Sequence, residues 1–174
     1  MQRKGLLIVY TGRGKGKTTA ALGLALRALG NDQRVCFIQF IKGSWKYGEL
    51  TSVKRHADLL DFHLTGKGFT FKSKDREADL QAAREAWQLA ERTIAANGHQ
   101  LVVLDELTYL IKYEMVPEET ILDALRRRPE RMHVVVTGRD ASERLIEIAD
   151  LVTEMREVKH PFHQGIKAQR GIEF

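Results

Sequence analysis

Short apolar runs alternate along the chain with longer stretches in which apolar and polar residues mix. Short runs rich in β-branched residues and bounded by turn residues are typical of buried strands, whereas the longer mixed stretches are typical of helices. The apolar runs predict strands at residues 6–10, 34–40, 60–64, 101–106 and 133–138, with a last strand in LVTEMREV. The mixed stretches predict helices at residues 17–30, at 78–97, from residue 117 in PEETILDALRRR, and shortly before the last strand.

Residues that begin or end helices support this division. Gly30 and the pair Asn97-Gly98 stand where the first two helices would stop, and glycine or asparagine is common just past a helix C-terminus. Pro117 stands at a plausible first position of the third helix, where its missing N–H has no cost.

Strands separated by helical crossovers imply a mostly parallel central sheet covered by helices on both faces, which is a three-layer α/β fold. No linker, internal repeat or low-complexity segment interrupts the pattern, so residues 1–174 are predicted to form a single domain. In such folds ligands bind beyond the carboxyl ends of the strands. Functional residues are therefore expected in the loops that follow the strands.

Composition narrows the functional classes. The net charge of +5 suits an anionic partner, which could be a nucleotide, a nucleic acid or an acidic protein. Arg13, Lys15 and Lys17 lie in the first loop and favour a nucleotide. The single cysteine, Cys36, excludes an internal disulfide. The apolar run near the N-terminus is too short for an export signal or a membrane span, so we expect a cytoplasmic protein.

The loop TGRGKGKTT after the first strand matches only part of the usual phosphate-binding pattern, which is Gly, four residues and Gly-Lys-Ser/Thr. Residues 16–18 fit its second half, but Thr11 stands at the position of the first glycine. The dinucleotide pattern also fails, because Lys17 stands where its third glycine would be. The loop nevertheless opens a helix, whose N-terminus attracts anions.

Three alternating glycines allow the loop to turn its backbone N–H groups towards a phosphate. The predicted phosphate-binding residues are Gly12, Arg13, Gly14, Lys15, Gly16, Lys17, Thr18 and Thr19. Lys17 would reach the outer phosphates, and the hydroxyl group of Thr18 would bind Mg²⁺. The alternative is a glycine-rich turn between strand and helix with lysines on its surface.

Two acids follow the apolar run LVVL, where a magnesium-binding acid would complete the site. Asp105 and Glu106 are therefore predicted metal ligands, although either could instead cap the following helix. The loop and the acids together are compatible with kinases, ATPases and other transferases. The sequence lacks the Asn-Lys-x-Asp motif that reads guanine, so a GTPase is not favoured.

A family resemblance separates these classes. The stretches TGRGKGKTTAALGLALRALG, VCFIQFIKGSWKYGE, GFTF, VVLDELTYLI, VVVTGR and VKHPFHQGIKAQRGIEF occur in this order. Together they resemble the corrinoid adenosyltransferases, which act on ATP and cob(I)alamin, over nearly the whole chain from Gly5 to Phe174. Thr11 at the position of the missing glycine is that family's own variant. The resemblance implies a P-loop, RecA-like fold.

The resemblance also implies an unusual reaction for a phosphate-binding loop. The Co(I) of the reduced corrinoid attacks the 5′ carbon of ATP, and the whole triphosphate leaves. Lys17 is then catalytic through its charge, and Glu106 ranks above Asp105 as the direct Mg²⁺ ligand. The implied partners are ATP, a corrinoid, an electron-donating flavoprotein and a second copy in a homodimer, with neither nucleic acid nor membrane.

Phe69 and Phe71, in GFTF, have two interpretations. Their spacing is that of two core residues on one face of a short strand. The resemblance instead makes them catalytic residues that lie against the lower face of the corrin and exclude its axial ligand. Many family members carry Trp where this chain has Phe71.

Two other functions and three other features stay open. The alternative functions are a small-molecule kinase that closes RRRPER over its substrate and a RecA-like ATPase stimulated by nucleic acid. His160 and His163 have metal-like spacing, and Arg139 repeats the Thr-Gly-Arg order of the first loop. Residues 126–128 are interpreted as a solvated helix end. The chain also starts almost at its first strand, where relatives carry further residues.

Overall fold

The computed structural model describes residues 4–41, 48–65 and 76–173, and strands and helices alternate along them. The strands are β1 Leu7–Thr11, β2 Val35–Gln39, β3 Leu60–Leu64, β4 Leu101–Asp105, β5 His133–Thr137 and β6 Leu151–Glu154. The α-helices are α1 Lys17–Leu29, α2 Gly48–Ser52, α3 Arg76–Ala96, α4 Thr108–Lys112, α5 Glu118–Arg126 and α6 Glu143–Ile148. Two 3₁₀ turns lie at Val53–His56 and Pro161–Gln164.

The six strands form one sheet in the order β3-β2-β4-β5-β1-β6. Every pairing is parallel; Ile8 of β1, for example, lies between Val135 of β5 and Leu151 of β6. All carboxyl ends of the strands therefore meet at the same edge. The predicted α/β fold with a parallel central sheet is confirmed.

Helices cover both faces of the sheet. Ala21 and Ala25 of α1 pack on one face against Ile8 and Phe37, because their small side chains let the helix approach the strands closely. Trp87 of α3 is buried in the larger cluster on the opposite face. Successive side chains of a strand point to opposite faces of the sheet, so the strands contribute residues to both clusters. The sheet is therefore the middle one of three layers.

Several predicted boundaries differ from the structure. Helix α3 begins at Arg76, before the predicted residue 78, and β6 ends at Glu154 within LVTEMREV. Pro117 is the N-cap residue of α5 and precedes its first helical position. The short helices α2 and α4 were not predicted, since five residues are too few to show a helical period.

The arginines after α5 only partly match the prediction of a solvated helix end. Arg126 and Arg127 are paired with acids of their own helix and stay exposed. Arg128 is 12% exposed, and its Nη2 donates to Asp150 Oδ2 at 2.9 Å. It also donates to the carbonyl oxygen of Gly5 at 3.3 Å. The prediction was wrong for Arg128, which joins the end of α5 to the start of β1.

Candidate active site

A polar residue ends each of four neighbouring strands of the sheet. These residues are Thr11, Gln39, Asp105 and Thr137, and all of them are buried. A polar side chain without water needs hydrogen-bond partners from the protein. The carboxyl edge of the sheet therefore has a polar layer beneath the loops that follow the strands.

The predicted phosphate-binding loop passes between β1 and α1 and contacts the chain that follows β6. Gly16 is the N-cap of α1 and has a φ of 109°, a left-handed conformation that suits glycine. Gly14 donates its N–H to the carbonyl oxygen of Met155 at 2.7 Å. A Cβ on Gly14 would lie 2.7 Å from the carbonyl carbon of Arg156, so only glycine fits there.

Lys17 lies inside the curve of this loop and is 7% exposed. Its Nζ donates to the carbonyl oxygens of Gly12 and Gly14, each at 2.7 Å. Burial lowers the pKa of Lys17, and the nearby carboxylate of Glu106 acts in the opposite direction. The loop thus holds a cation at the N-terminus of a helix, where a phosphate group would find both charges and N–H donors.

Asp105 is the centre of the polar layer. Its Oδ1 accepts hydrogen bonds from Thr18 Oγ1 at 2.9 Å and from Thr137 Oγ1 at 2.6 Å. Its Oδ2 accepts from Gln39 Nε2 at 3.1 Å. Because the proton of the Thr18 hydroxyl points at Asp105, the lone pairs of that oxygen are left for a cation.

Glu106 has a different environment from its neighbour. It has a φ of 65°, a left-handed conformation that is uncommon for a residue with a side chain. Its N–H donates to Thr137 Oγ1 at 3.0 Å. Glu106 lines the cleft above the loop, whereas Asp105 lies fully buried below it.

The cleft has a volume of about 580 Å³. Among its lining residues are 13–19 of the phosphate-binding loop, Glu106, Arg139 and residues 171–173 near the C-terminus. Lys15 Nζ forms an ion pair with Glu173 Oε2 at 2.7 Å. Arg139, in the loop after β5, lines the same cleft.

The donors in the cleft fit magnesium. Mg²⁺ prefers oxygen ligands and is usually held by one or two carboxylates together with substrate phosphates. Thr18 and Glu106 supply such oxygens beside the loop. In the described ranges no group of three or more His, Cys, Asp or Glu residues could hold a metal ion.

The histidines with metal-like spacing have other partners. His160 Nδ1 accepts from the N–H of Phe162 at 3.1 Å, which caps a 3₁₀ turn. His163 Nε2 lies 2.7 Å from Glu157 Oε1, and this contact lowers the pKa of Glu157. Phe69 and Phe71 lie outside the described residues.

Comparison with known proteins gives one consistent family. The model of the family described as ATP:corrinoid adenosyltransferase BtuR/CobO/CobP matches residues 3–174. The chain is 45% identical over 171 residues to the corrinoid adenosyltransferase of Escherichia coli K12, covering 98% of this chain and 86% of that protein. It is 43% identical over 173 residues to the corrinoid adenosyltransferase CobA of Salmonella typhimurium LT2, covering 99% and 87%.

The chain belongs to the ATP:corrinoid adenosyltransferase family. As a corrinoid adenosyltransferase it is a transferase, and its substrates are ATP and a corrinoid. The resemblance seen in the sequence motifs is confirmed, and the kinase and nucleic-acid-dependent ATPase alternatives are not supported.

A solved structure shows the same fold at low identity. The flagellar accessory protein FlaH from Methanocaldococcus jannaschii aligns with a TM-score of 0.59 and 16% identity, covering 87% of this chain and 71% of that chain. At this identity the likeness concerns the fold alone. In the described part of this adenosyltransferase, no helix is both long and apolar enough to cross a membrane.

Sequence reasoning missed two residues of the polar layer. Gln39 and Thr137 each end an apolar strand, so a visible signal existed: a lone polar residue at the end of a buried run. Their contact with Asp105 depends on β2 and β5 lying on either side of β4. No local pattern in the sequence of this adenosyltransferase reveals that strand order.

Proposed function

We propose that the cleft above residues 13–19 binds the triphosphate of ATP with Mg²⁺, and that the Co(I) of a reduced corrinoid attacks the 5′ carbon. The triphosphate leaves as a unit, and the electron pair of Co(I) forms the new carbon–cobalt bond. One observation carries the proposal: Lys17, the Thr18 hydroxyl and Glu106 converge on a single cleft at a helix N-terminus.

The chain supplies no nucleophile in this proposal, because the corrinoid is the nucleophile. Its task is to bind the leaving group and stabilise the charge that develops on it. Lys17 brings a positive charge that the loop already holds in place through two carbonyl contacts. Arg13, Lys15 and Arg139 line the same cleft and add to its positive potential.

Thr18 and Glu106 are the proposed magnesium ligands. Bound Mg²⁺ would neutralise part of the charge on the phosphate oxygens. Asp105 lies below the cleft and accepts a hydrogen bond from Thr18. We therefore propose that Asp105 orients that hydroxyl group and that Glu106 coordinates the metal directly. This assignment keeps the order of the two acids that the family resemblance implied.

In this proposal Phe69 and Phe71 are the residues that contact the corrinoid. They would lie against the lower face of the corrin and displace its axial ligand before reduction. Truncating either to Ala should then reduce turnover that starts from Co(II) and spare the reaction with chemically prepared Co(I). Parallel loss of both rates and of thermal stability would instead identify them as core residues.

The proposal also includes the oligomeric state, the cellular compartment and the electron donor. A homodimer in the cytoplasm, supplied with electrons by a flavoprotein, is the arrangement that the family resemblance supports. Sedimentation equilibrium would test the dimer, and reduction of Co(II) corrinoid by candidate flavoproteins with and without the enzyme would test the electron donor.

The deciding experiment is an anaerobic assay with ATP and Co(I) corrinoid. Formation of the carbon–cobalt bond is followed by absorbance, and the phosphate product is identified by chromatography. We expect triphosphate as the product and strongly reduced turnover in Thr18→Ala, with Lys54→Ala, an exposed lysine outside the cleft, as control. Release of ADP, or full activity in Thr18→Ala, would contradict the proposal.

A further inference from the structure

The hydroxyl group of Thr137 has two hydrogen-bonding roles, and both involve neighbouring acids. It ends β5 and is fully buried. Its Oγ1 donates to Asp105 Oδ1 at 2.6 Å and accepts from the N–H of Glu106 at 3.0 Å. A threonine hydroxyl has one proton to donate, and that proton goes to the carboxylate.

The first contact reaches the proposed metal site through Asp105. The same oxygen, Oδ1, also accepts from the hydroxyl of Thr18 at 2.9 Å. Holding Oδ1 in place therefore fixes the direction of the Thr18 proton, and with it the direction of the lone pairs that would meet a cation.

The second contact reaches the site through the backbone. Glu106 has a left-handed φ of 65°, which needs support from its surroundings in a residue with a side chain. The hydrogen bond from its N–H to Thr137 is one such support. This backbone conformation accompanies the position of Glu106 in the wall of the cleft.

We propose that Thr137 is a positioning residue that orients both proposed magnesium ligands, Thr18 and Glu106, through its single hydroxyl group. The inference rests on the proposed function, because it assumes that those two residues would hold magnesium. Thr137 itself touches neither substrate nor metal in this role.

The chain offers a matched control in Thr108. Its hydroxyl is also buried, next to Gly138, and within the described ranges it has no hydrogen-bond partner. Thr108→Val and Thr137→Val therefore remove the same group from the same region, and only the second removes contacts to the acids.

The experiment measures ATP binding by titration calorimetry, with and without Mg²⁺ and in the absence of corrinoid. We expect Thr137→Val to weaken magnesium-dependent binding by about tenfold or more, the loss expected from a hydrogen bond to a charged group. Binding without Mg²⁺ should change little, Thr137→Ser should restore most of the affinity, and Thr108→Val should match the wild type.

Other outcomes would contradict either the role of the Thr137 hydroxyl group or the proposed magnesium site. Unchanged magnesium-dependent binding in Thr137→Val, or equal weakening in Thr137→Ser, would overturn the role of the hydroxyl group. Wild-type binding that does not depend on Mg²⁺ would overturn the proposed magnesium site instead. If Thr137→Val does not fold, Thr137→Cys replaces it, because a thiol is a weaker donor and acceptor, and wild-type affinity there would count against the inference.

Discussion

Two parts of the molecule contact the phosphate-binding loop, and they differ in almost every physical respect. Below the loop lies the polar layer, in which Gln39, Asp105 and Thr137 are fully buried and joined by side-chain hydrogen bonds. Above it lies the C-terminal segment, residues 155–173, which is exposed along most of its length. Phe162 in that segment is 74% exposed.

This difference in burial determines which contacts can be exchanged for contacts with a ligand. A buried polar group that loses its partner bears the full cost of desolvation, so the layer keeps one arrangement. An exposed ion pair contributes little, since water and salt compete with it. The buried layer is therefore suited to orient Thr18 and Glu106, whereas the pair between Lys15 and Glu173 can yield to an anionic substrate at small cost.

The largest effect on activity is expected for Lys17→Met. Removing one preorganised charge from a leaving-group site typically costs about 100- to 1,000-fold in turnover. Methionine keeps an unbranched side chain of similar length, so the fold should persist although the carbonyl oxygens of Gly12 and Gly14 lose their donor. Turnover with Co(I) corrinoid and thermal unfolding, measured side by side, test this separation. A protein that unfolds, or one that keeps full activity, would contradict the loop assignment.

The largest effect on stability is expected for Asp105→Ala. The substitution leaves Gln39 Nε2 and the hydroxyl of Thr137 without their acceptor at buried positions, and each such loss costs about 1–3 kcal/mol. Asp105→Asn keeps one acceptor oxygen and should lose less. Urea unfolding gives the comparison. Equal stability of Asp105→Ala and the wild type would show that water reaches this layer. Contacts in the layer would then cost as little to lose as those of the exposed segment.

A moderate effect, confined to the concentration of Mg²⁺ that the enzyme requires, is expected for Glu106→Gln. The change keeps size and removes charge from the cleft wall, so half-saturation with Mg²⁺ should need several-fold more metal, with little change in melting temperature. Glu114→Gln is a control in a residue that also has a left-handed φ but does not line the cleft. An unchanged magnesium requirement would remove Glu106 from the site.

The sequence predicted the parts of the site that depend on neighbours along the chain. The loop from Gly12 to Thr19 and the two acids at the end of β4 are local patterns, and the structure brings them into one region. The roles of Gln39 and Thr137 could not be predicted in this way. Their contacts span 66 and 32 residues and follow from strand order, which long crossovers set and no local period records.

The C-terminal segment was unpredictable for a different reason. Its exposed apolar residues, such as Val158 and Ile172, follow neither the helical nor the strand period, because they do not pack into the core. Besides the ion pair between Lys15 and Glu173, it contacts the loop through backbone atoms, as in the bond from Gly14 to Met155. Side-chain patterns carry no information about such contacts.

The smallest effect is expected for Glu173→Gln, which breaks the ion pair with Lys15 in the cleft. The two side chains are 20% and 48% exposed, so the free energy of unfolding should change by less than about 1 kcal/mol. Removing a carboxylate beside the phosphate site should strengthen ATP binding by about two- to threefold at low salt, and the gain should shrink as salt screens the charges. Titration calorimetry at two salt concentrations measures the gain in affinity for ATP and its decrease with salt.

Glu157→Gln is the matched control, because that acid lies in the same segment, is paired with His163 and does not line this cleft. Weaker ATP binding in Glu173→Gln would show that the segment helps to hold the substrate, and a loss of stability comparable to that of Asp105→Ala would show that it belongs with the buried layer.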